Sequence, residues 1–149
     1  MNGNVARVDA IRDELGHGFN CAQVVLMHFC PEVGLDTDTG LRLASGFGGG
    51  MRMGGTCGAV TGGLMVLGLL QGFGAENPSA EREHIRSLTQ DFIDRFTHIH
   101  GNTECKELLG IDTSQPGNRE IATSKGLFHD ICPNCILSAI DILQELSSQ

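Results

Sequence analysis

The six cysteines are the residues of this sequence best suited to chemistry. They are Cys21, Cys30, Cys57, Cys105, Cys132 and Cys135. A cysteine thiolate is both a nucleophile and a metal ligand, so a set of six predicts thiol redox chemistry or metal binding. In a small secreted chain the same number would instead predict a disulfide framework.

Four of the cysteines stand beside residues typical of helix starts: Cys21 after Asn20, Cys57 after Thr56, Cys105 two residues after Thr103, and Cys132 before Pro133. Unpaired backbone N–H groups and the positive end of the helix dipole stabilise a thiolate there, which lowers the thiol pKa. Cys30 falls at a helix end, and we predict a structural role for it. Taken singly, each cysteine can also be a small buried hydrophobe.

Cys132 and Cys135 form a Cys-Pro-Asn-Cys pair, whose thiols can form a disulfide or hold a metal at a helix start. No strand precedes the pair, as a thioredoxin-like motif requires. A zinc ribbon needs a second close pair, and a haem attachment site needs His where Ile136 stands. Cys135 is therefore either a resolving thiol or an extra ligand.

The histidines carry a weaker signal. His17 precedes Cys21 and His129 precedes Cys132, so each can tune a neighbouring thiol. His98 and His100 end the longest helix, where we predict a solvated or capping role because the helix dipole favours positive charge there.

Apolar residues recur at helical spacing through most of the chain, with no period-two alternation. The pattern predicts helices over residues 5–15, 21–30, 36–44, 57–72, 77–100 and 132–146, a short turn over 105–110, and a mostly irregular segment over 111–126. Thr56 and Asn77 are the expected caps of the fourth and fifth helices. We predict an all-α, single-domain bundle over residues 1–149, with about five to seven helices and a Gly-rich central loop and helix.

Nine glycines fall between residues 46 and 63, around Cys57. Glycine is costly to order, so this density predicts left-handed backbone or close approach by another group. Gly58 and Gly62 are predicted to let a bound cofactor approach the backbone, or to pack helices together. A phosphate-binding loop is not predicted, because no Gly-Lys-Ser/Thr follows.

Composition excludes several function classes. With 18 acidic and 10 basic residues among 149, the chain has a net charge of -8, which repels nucleic acid. Trp and Tyr are absent, so the chain is poorly supplied with aromatic side chains that stack on bases or sugars. Residues 53–75 carry no charge, but their Gly, Thr and Gln content favours a core helix over a membrane span. The charged N-terminus lacks the apolar region of a signal peptide, which predicts a cytoplasmic protein.

The stretch Cys57-Gly-Ala-Val-Thr-Gly62 resembles the motif of the C_GCAxxG_C_C family, small proteins described as redox-active and named for four cysteines. Other landmarks are similar: Asn20-Cys21-Ala-Gln, the segment 44–50, and Cys105 through Gly110. The resemblance spans residues 16–143. It implies a functional set of Cys21, Cys57, Cys105 and one late cysteine. For the late position, Cys132 with Pro133 resembles the family pattern more closely than Cys135 does. The family supplies no settled reaction.

Three functions follow as hypotheses. In the first, a thiolate, for which Cys57 is favoured, exchanges disulfides with a redox protein or a small sulfur-containing substrate. In the second, Cys21, Cys57, Cys105 and Cys132 hold zinc or an iron–sulfur cluster. In the third, the protein is a non-catalytic helical module that forms a homodimer through its Gly-rich helix.

Overall fold

The computed structural model describes residues 2–148 and confirms the predicted all-α class, with 77% of the chain helical and no strand in the described part. The helices are α1 (Asn2–Gly16), α2 (Cys21–Val33), α3 (Thr37–Leu43), α4 (Gly58–Gln71), α5 (Ser79–His100), α6 (Cys105–Leu109), α7 (Asn118–Ser124), α8 (Leu127–Asp130) and α9 (Cys132–Ser147).

Several helix boundaries differ from the prediction. Helix α2 continues through Pro31 to Val33, because the proline lies in the last turn and Gly34 then closes the helix in left-handed geometry. Cys57, not Thr56, is the N-cap of α4, and Pro78, not Asn77, is the N-cap of α5. The polar segment 111–126 was expected to be mostly irregular, but it contains helix α7, and α8 begins directly after it.

The core lies where α2, α4, α5 and α9 meet, and α2 with α4 forms the most extensive helix pair. Glycine permits this contact. A Cβ atom on Gly58 would lie 2.8 Å from the Ala22 nitrogen, and one on Gly62 would lie 2.8 Å from the Ala22 carbonyl oxygen. A Cβ on Gly63 would collide with the Phe92 ring. The glycines of α4 therefore bring the start of α2 against the start of α4.

The loop before α4 contains an uncommon left-handed turn. Gly49, Gly50, Met51 and Arg52 all have φ close to +60°, and the Gly55 N–H donates to the Gly50 carbonyl oxygen at 3.0 Å. Left-handed backbone costs a residue with a Cβ about 1–2 kcal/mol. Met51 and Arg52 therefore hold a strained conformation beside the cysteines.

Within residues 2–148, no single helix is long and apolar enough to cross a membrane. One strongly bent pair, Asn118–Ser124 with Leu127–Ser147, meets the length and composition criteria together.

Candidate functional site

Five cysteines line one cavity of about 460 Å³. They are Cys21, Cys57, Cys105, Cys132 and Cys135. All are free thiols, and Cys57 and Cys135 are 6% and 2% exposed. Cys30 lies apart in the hydrophobic core, where its sulfur is 2.8 Å from the position of a Cβ on Gly40. The structure thus gathers every cysteine singled out for chemistry and separates the one predicted to be structural.

Cys21 is the first residue of α2, and a capping box holds that helix start. The Asn20 side-chain oxygen accepts from the Gln23 N–H, and the Gln23 side-chain oxygen accepts from the Asn20 N–H, each at 2.9 Å. The Asn20 side-chain amide also donates to the carbonyl oxygens of Ala44 and Ser45. The same residue therefore fixes the start of α2 and the entry to the glycine-rich loop.

Cys57 and Cys105 are aligned by their backbones. The Cys57 N–H donates to the Thr103 carbonyl oxygen at 2.7 Å, and the Cys105 N–H donates to the Gly55 carbonyl oxygen at 2.6 Å. These two bonds form an isolated antiparallel bridge between Thr56 and Glu104. The sequence carries no strand pattern here, so the bridge was not predicted.

Cys132 and Cys135 occupy the first turn of α9, which runs into the core beside α4. The Cys132 thiol contacts Cys21, Cys21 contacts Cys57, and Cys57 contacts Cys135 through side-chain hydrogen bonds. Cys132 and Cys135 are therefore linked to each other through the thiols of Cys21 and Cys57.

Cys57 has a pKa well below that of an ordinary thiol. The thiol of Cys135 contributes most, followed by that of Cys21, because both donate to the Cys57 sulfur. The backbone N–H groups of Ala59 and Val60 at the start of α4 lower the pKa further, although burial opposes the shift. Both N–H groups lie in the first turn of α4, where the positive end of the helix dipole also favours a thiolate.

The surrounding thiols shift the other way. Burial, followed by the charges of Cys57 and Cys132, raises the pKa of Cys105 to about 12. The pKa of Cys21 is raised by hydrogen bonds to Cys132 and Cys57, and that of Cys135 is raised first by its hydrogen bond to Cys57 and then by burial. Thiols this close cannot all ionise, since each negative charge opposes the next. The arrangement favours a thiolate at Cys57, with the neutral thiols of Cys21 and Cys135 against it.

His100 lies near this thiolate. Its Nε2 atom is buried and has no hydrogen-bond partner in residues 2–148, and its ring packs on Phe96 with centroids 4.7 Å apart. Burial lowers the pKa of His100, and the Cys57 charge opposes that shift. His100 is half-buried with its Nε2 atom enclosed, so its ring is not the fully solvated group that was predicted, although the neighbouring His98 and Ile99 are exposed. Neither His17 nor His129 lines the cavity.

Arg52 and Arg119 line the cavity and were not predicted as site residues. The Arg119 guanidinium lies 5.3 Å from the Phe128 ring centroid, in cation–π contact. Among residues 2–148, the cavity wall includes no Asp or Glu. The two arginines lie far apart in the sequence and belong to no common motif, so the sequence gives no sign that they share a site.

Gly58 lines the cavity, whereas Gly62 lies a turn further along α4 and does not. Their contacts show a helix-packing role, and the expected cofactor-binding role stays a prediction. In the described part of the chain, no three His, Cys, Asp or Glu residues are arranged to hold a metal ion.

An all-α domain with five thiols on one cavity defines a cysteine-based class of protein. Residues 19–146 match the model of the family described as "Putative redox-active protein (C_GCAxxG_C_C)". The chain belongs to this family, which confirms the resemblance seen in its motifs. Cys57 and Gly58 stand in the reverse order to the letters of the family name. No curated protein and no solved structure matches the chain.

Proposed function

We propose that the protein is a thiol–disulfide oxidoreductase in which Cys57 is the attacking thiolate. The observation that carries this proposal is the position of Cys57 on the cavity wall at the start of α4, between the thiols of Cys21 and Cys135, which lower its pKa. A thiolate at neutral pH is the reactive form in disulfide exchange. The cavity beside it provides the path by which a small disulfide reaches a sulfur that is otherwise buried.

In the first step, the Cys57 thiolate attacks one sulfur of a substrate disulfide. A mixed disulfide forms at Cys57, the substrate S–S bond breaks, and one substrate thiolate leaves. In the second step, a neighbouring protein thiol loses its proton and attacks the Cys57 sulfur, which releases the second substrate thiolate. The protein ends with one disulfide, and the substrate is reduced to two thiols, so two electrons have passed to it.

Cys21 and Cys135 are the two candidates for the resolving thiol, since both contact Cys57. Cys132 contacts Cys21 and stands one step further away. Cys105 lines the cavity, and its pKa is raised by burial and nearby charges, not by a hydrogen bond to another thiol. We propose that the first disulfide joins Cys57 to Cys21 or Cys135.

The test uses the reduced full-length protein and bis(2-hydroxyethyl) disulfide, with each cysteine mapped by mass spectrometry. The expected result is loss of thiol release in Cys57→Ser, and accumulation of the Cys57 mixed disulfide in whichever of Cys21→Ala and Cys135→Ala lacks the resolving thiol. Cys30→Ala is the matched control and should react as the unaltered protein does. Exchange at an unchanged rate in Cys57→Ser would overturn the proposal.

The second candidate function is binding of zinc or an iron–sulfur cluster. The observation in its favour is that Cys21, Cys57, Cys105 and Cys132 reach one cavity from four helix starts. It ranks second because the side chains are not arranged around a common metal position. Purification without oxygen, with iron, sulfide and zinc measured against protein, tests it. Stoichiometric metal that is lost in Cys57→Ser would place this function first.

Thiol exchange of this kind needs reduced cysteines, and all six are free in the structure. We accordingly propose a reducing compartment, the cytoplasm, and a redox protein or small sulfur-containing molecule as the partner.

A further inference from the structure

We infer that the cavity selects small disulfides that carry negative charge, such as those with carboxylate groups. This inference rests on the proposed function and names its substrate class. The observation behind it is the charge of the cavity wall: the chain as a whole is strongly acidic, yet the wall formed by residues 2–148 carries two arginines and no carboxylate.

The two arginines are available to a ligand. Elsewhere, Arg7, Arg12, Arg86 and Arg95 form ion pairs with carboxylates, whereas Arg82 bonds only to Asn77 and Arg42 forms no ion pair within residues 2–148. Neither Arg52 nor Arg119 forms an ion pair with any carboxylate of residues 2–148. A guanidinium binds a carboxylate through two parallel hydrogen bonds, so a cavity with two unpaired guanidinium groups suits an acidic ligand.

The backbone that carries Arg52 supports the same conclusion. Arg52 has φ of 59° in the left-handed turn, a conformation that disfavours any residue with a Cβ. Strain of this kind persists where the surrounding structure holds it, and such positions are concentrated at binding sites. Three glycines of this loop, Gly48, Gly49 and Gly50, line the same cavity beside Arg52.

Arg119 is held by a different element. It lies in α7, and its stacking over Phe128, which also lines the cavity, restrains the guanidinium. The two charges thus come from separate segments of the cavity wall. With a volume of about 460 Å³, the cavity has the size of a small-molecule site, which falls typically at about 300–1,000 Å³.

The charge of the substrate then acts before the chemistry. The arginines hold the carboxylates, which brings the disulfide to Cys57, and exchange follows by the two steps already described. Electrostatic attraction of this kind raises the rate of encounter and weakens as salt is added.

The test compares three disulfides of different charge: glutathione disulfide, which is anionic, bis(2-hydroxyethyl) disulfide, which is neutral, and cystamine, which is cationic. The quantity measured is the second-order rate constant for thiol release. We expect the order anionic, neutral, cationic, and a fall of the anionic-to-neutral ratio by about threefold to tenfold in Arg52→Gln with Arg119→Gln. The corresponding Arg→Lys double variant should recover part of the ratio.

Arg86→Gln is the matched control, because it removes the same charge from an exposed arginine of α5 that is paired with Glu83. It should leave the ratio unchanged. An unchanged ratio in the cavity variant, an equal fall in the control, or a preference for cystamine would overturn the inference.

A second measurement separates this inference from the proposed function. S-methylglutathione carries the two carboxylates of one half of glutathione disulfide but has a thioether that cannot exchange. Binding to the reduced protein, followed by NMR chemical shifts, should weaken in the Arg52→Gln, Arg119→Gln variant and persist in Cys57→Ser. Arginine-dependent binding without disulfide exchange would overturn the redox function and leave an acidic ligand site. Exchange without arginine-dependent binding would do the opposite.

Discussion

The Cα of Gly62 lies against the backbone of Ala22, so closely that a Cβ on Gly62 would be 2.8 Å from the Ala22 carbonyl oxygen and 2.9 Å from its Cα. A second glycine, Gly58, has the same relationship one turn earlier, with the Ala22 nitrogen and the Cys21 Cβ. Cys21 and Cys57 stand at the N-terminal ends of these two helices, beside the contact. The glycine surface of α4 therefore sets the distance between the proposed nucleophile and a candidate resolving thiol.

Gly62→Ala is expected to destabilise the protein by about 1–3 kcal/mol, because the added methyl group must push α2 away from α4. Urea unfolding measures this change. Gly68→Ala is the control: nothing lies within 4 Å of a Cβ there, and alanine is the better helix former by about 0.5–1 kcal/mol. The control should therefore be slightly stabilised. Equal stability of the two variants would show that close packing does not require Gly62.

The low pKa of Cys57 predicts a thiolate that forms at lower pH than in an ordinary cysteine, whose pKa is about 8.5. Ultraviolet absorbance of the thiolate, followed across pH, should show a transition that vanishes in Cys57→Ser. Cys135→Ala should move that transition to higher pH, and by more than Cys21→Ala does, because the Cys135 thiol is the larger stabilising contact. Cys30→Ala should leave it in place. A transition unaffected by both neighbours would contradict the hydrogen-bond explanation.

Alkaline pH is expected to destabilise the fold. The pKa of Cys105 is raised to about 12 by burial, and those of Cys21 and Cys135 are also raised. Above the ordinary thiol pKa of about 8.5, the unfolded chain releases protons that the native state retains, so the free energy of unfolding falls with rising pH. Cys57 acts in the opposite direction, since its lowered pKa adds stability that is lost only as pH falls through that value.

Urea unfolding at neutral and alkaline pH tests this expectation. In Cys105→Ala the alkaline loss of stability should be smaller than in the unaltered protein. The same loss in both proteins would mean that Cys105 ionises freely in the native state.

Met51→Gly is expected to raise the free energy of unfolding by about 0.5–1 kcal/mol. Met51 has φ of 60°, and relief of about 1–2 kcal/mol of left-handed strain exceeds the added entropy of the unfolded chain, about 0.5–1 kcal/mol. Thermal or urea unfolding provides the measurement. Met53→Gly, in the same loop without a positive φ, should be neutral or destabilised. A stabilisation common to both would point to loop flexibility instead of strain.

Much of the fold could be predicted because local signals agree with it. Asp36 caps α3 through the Thr39 N–H, Gly101 ends α5 in left-handed geometry, and cysteines stand at the starts of α2, α6 and α9 as expected. Pro31 was taken for a helix end, but it lies in the last turn of α2, which Gly34 closes in left-handed geometry.

The parts that could not be predicted depend on distant contacts. The bridge joins Thr56 and Glu104, which are 48 positions apart in the sequence. Neither segment carries a strand pattern. Arg52 and Arg119 meet at one cavity only in the folded chain. The enclosure of the His100 Nε2 atom depends on how α5 packs, which helical spacing near the C-terminus of that helix does not specify.

The sulfur contacts also bear on how the chain has to mature. Cys21, Cys57 and Cys135 belong to three helices far apart in sequence, whereas Cys132 and Cys135 are neighbours in any conformation. Closing a short loop costs the least entropy, so premature oxidation of a nascent chain favours the Cys132–Cys135 pair. That crosslink would consume a thiol on which the Cys57 thiolate depends. The native assembly of thiols is thus a product of complete folding, and the reducing power of its surroundings decides whether a newly made chain ever reaches it.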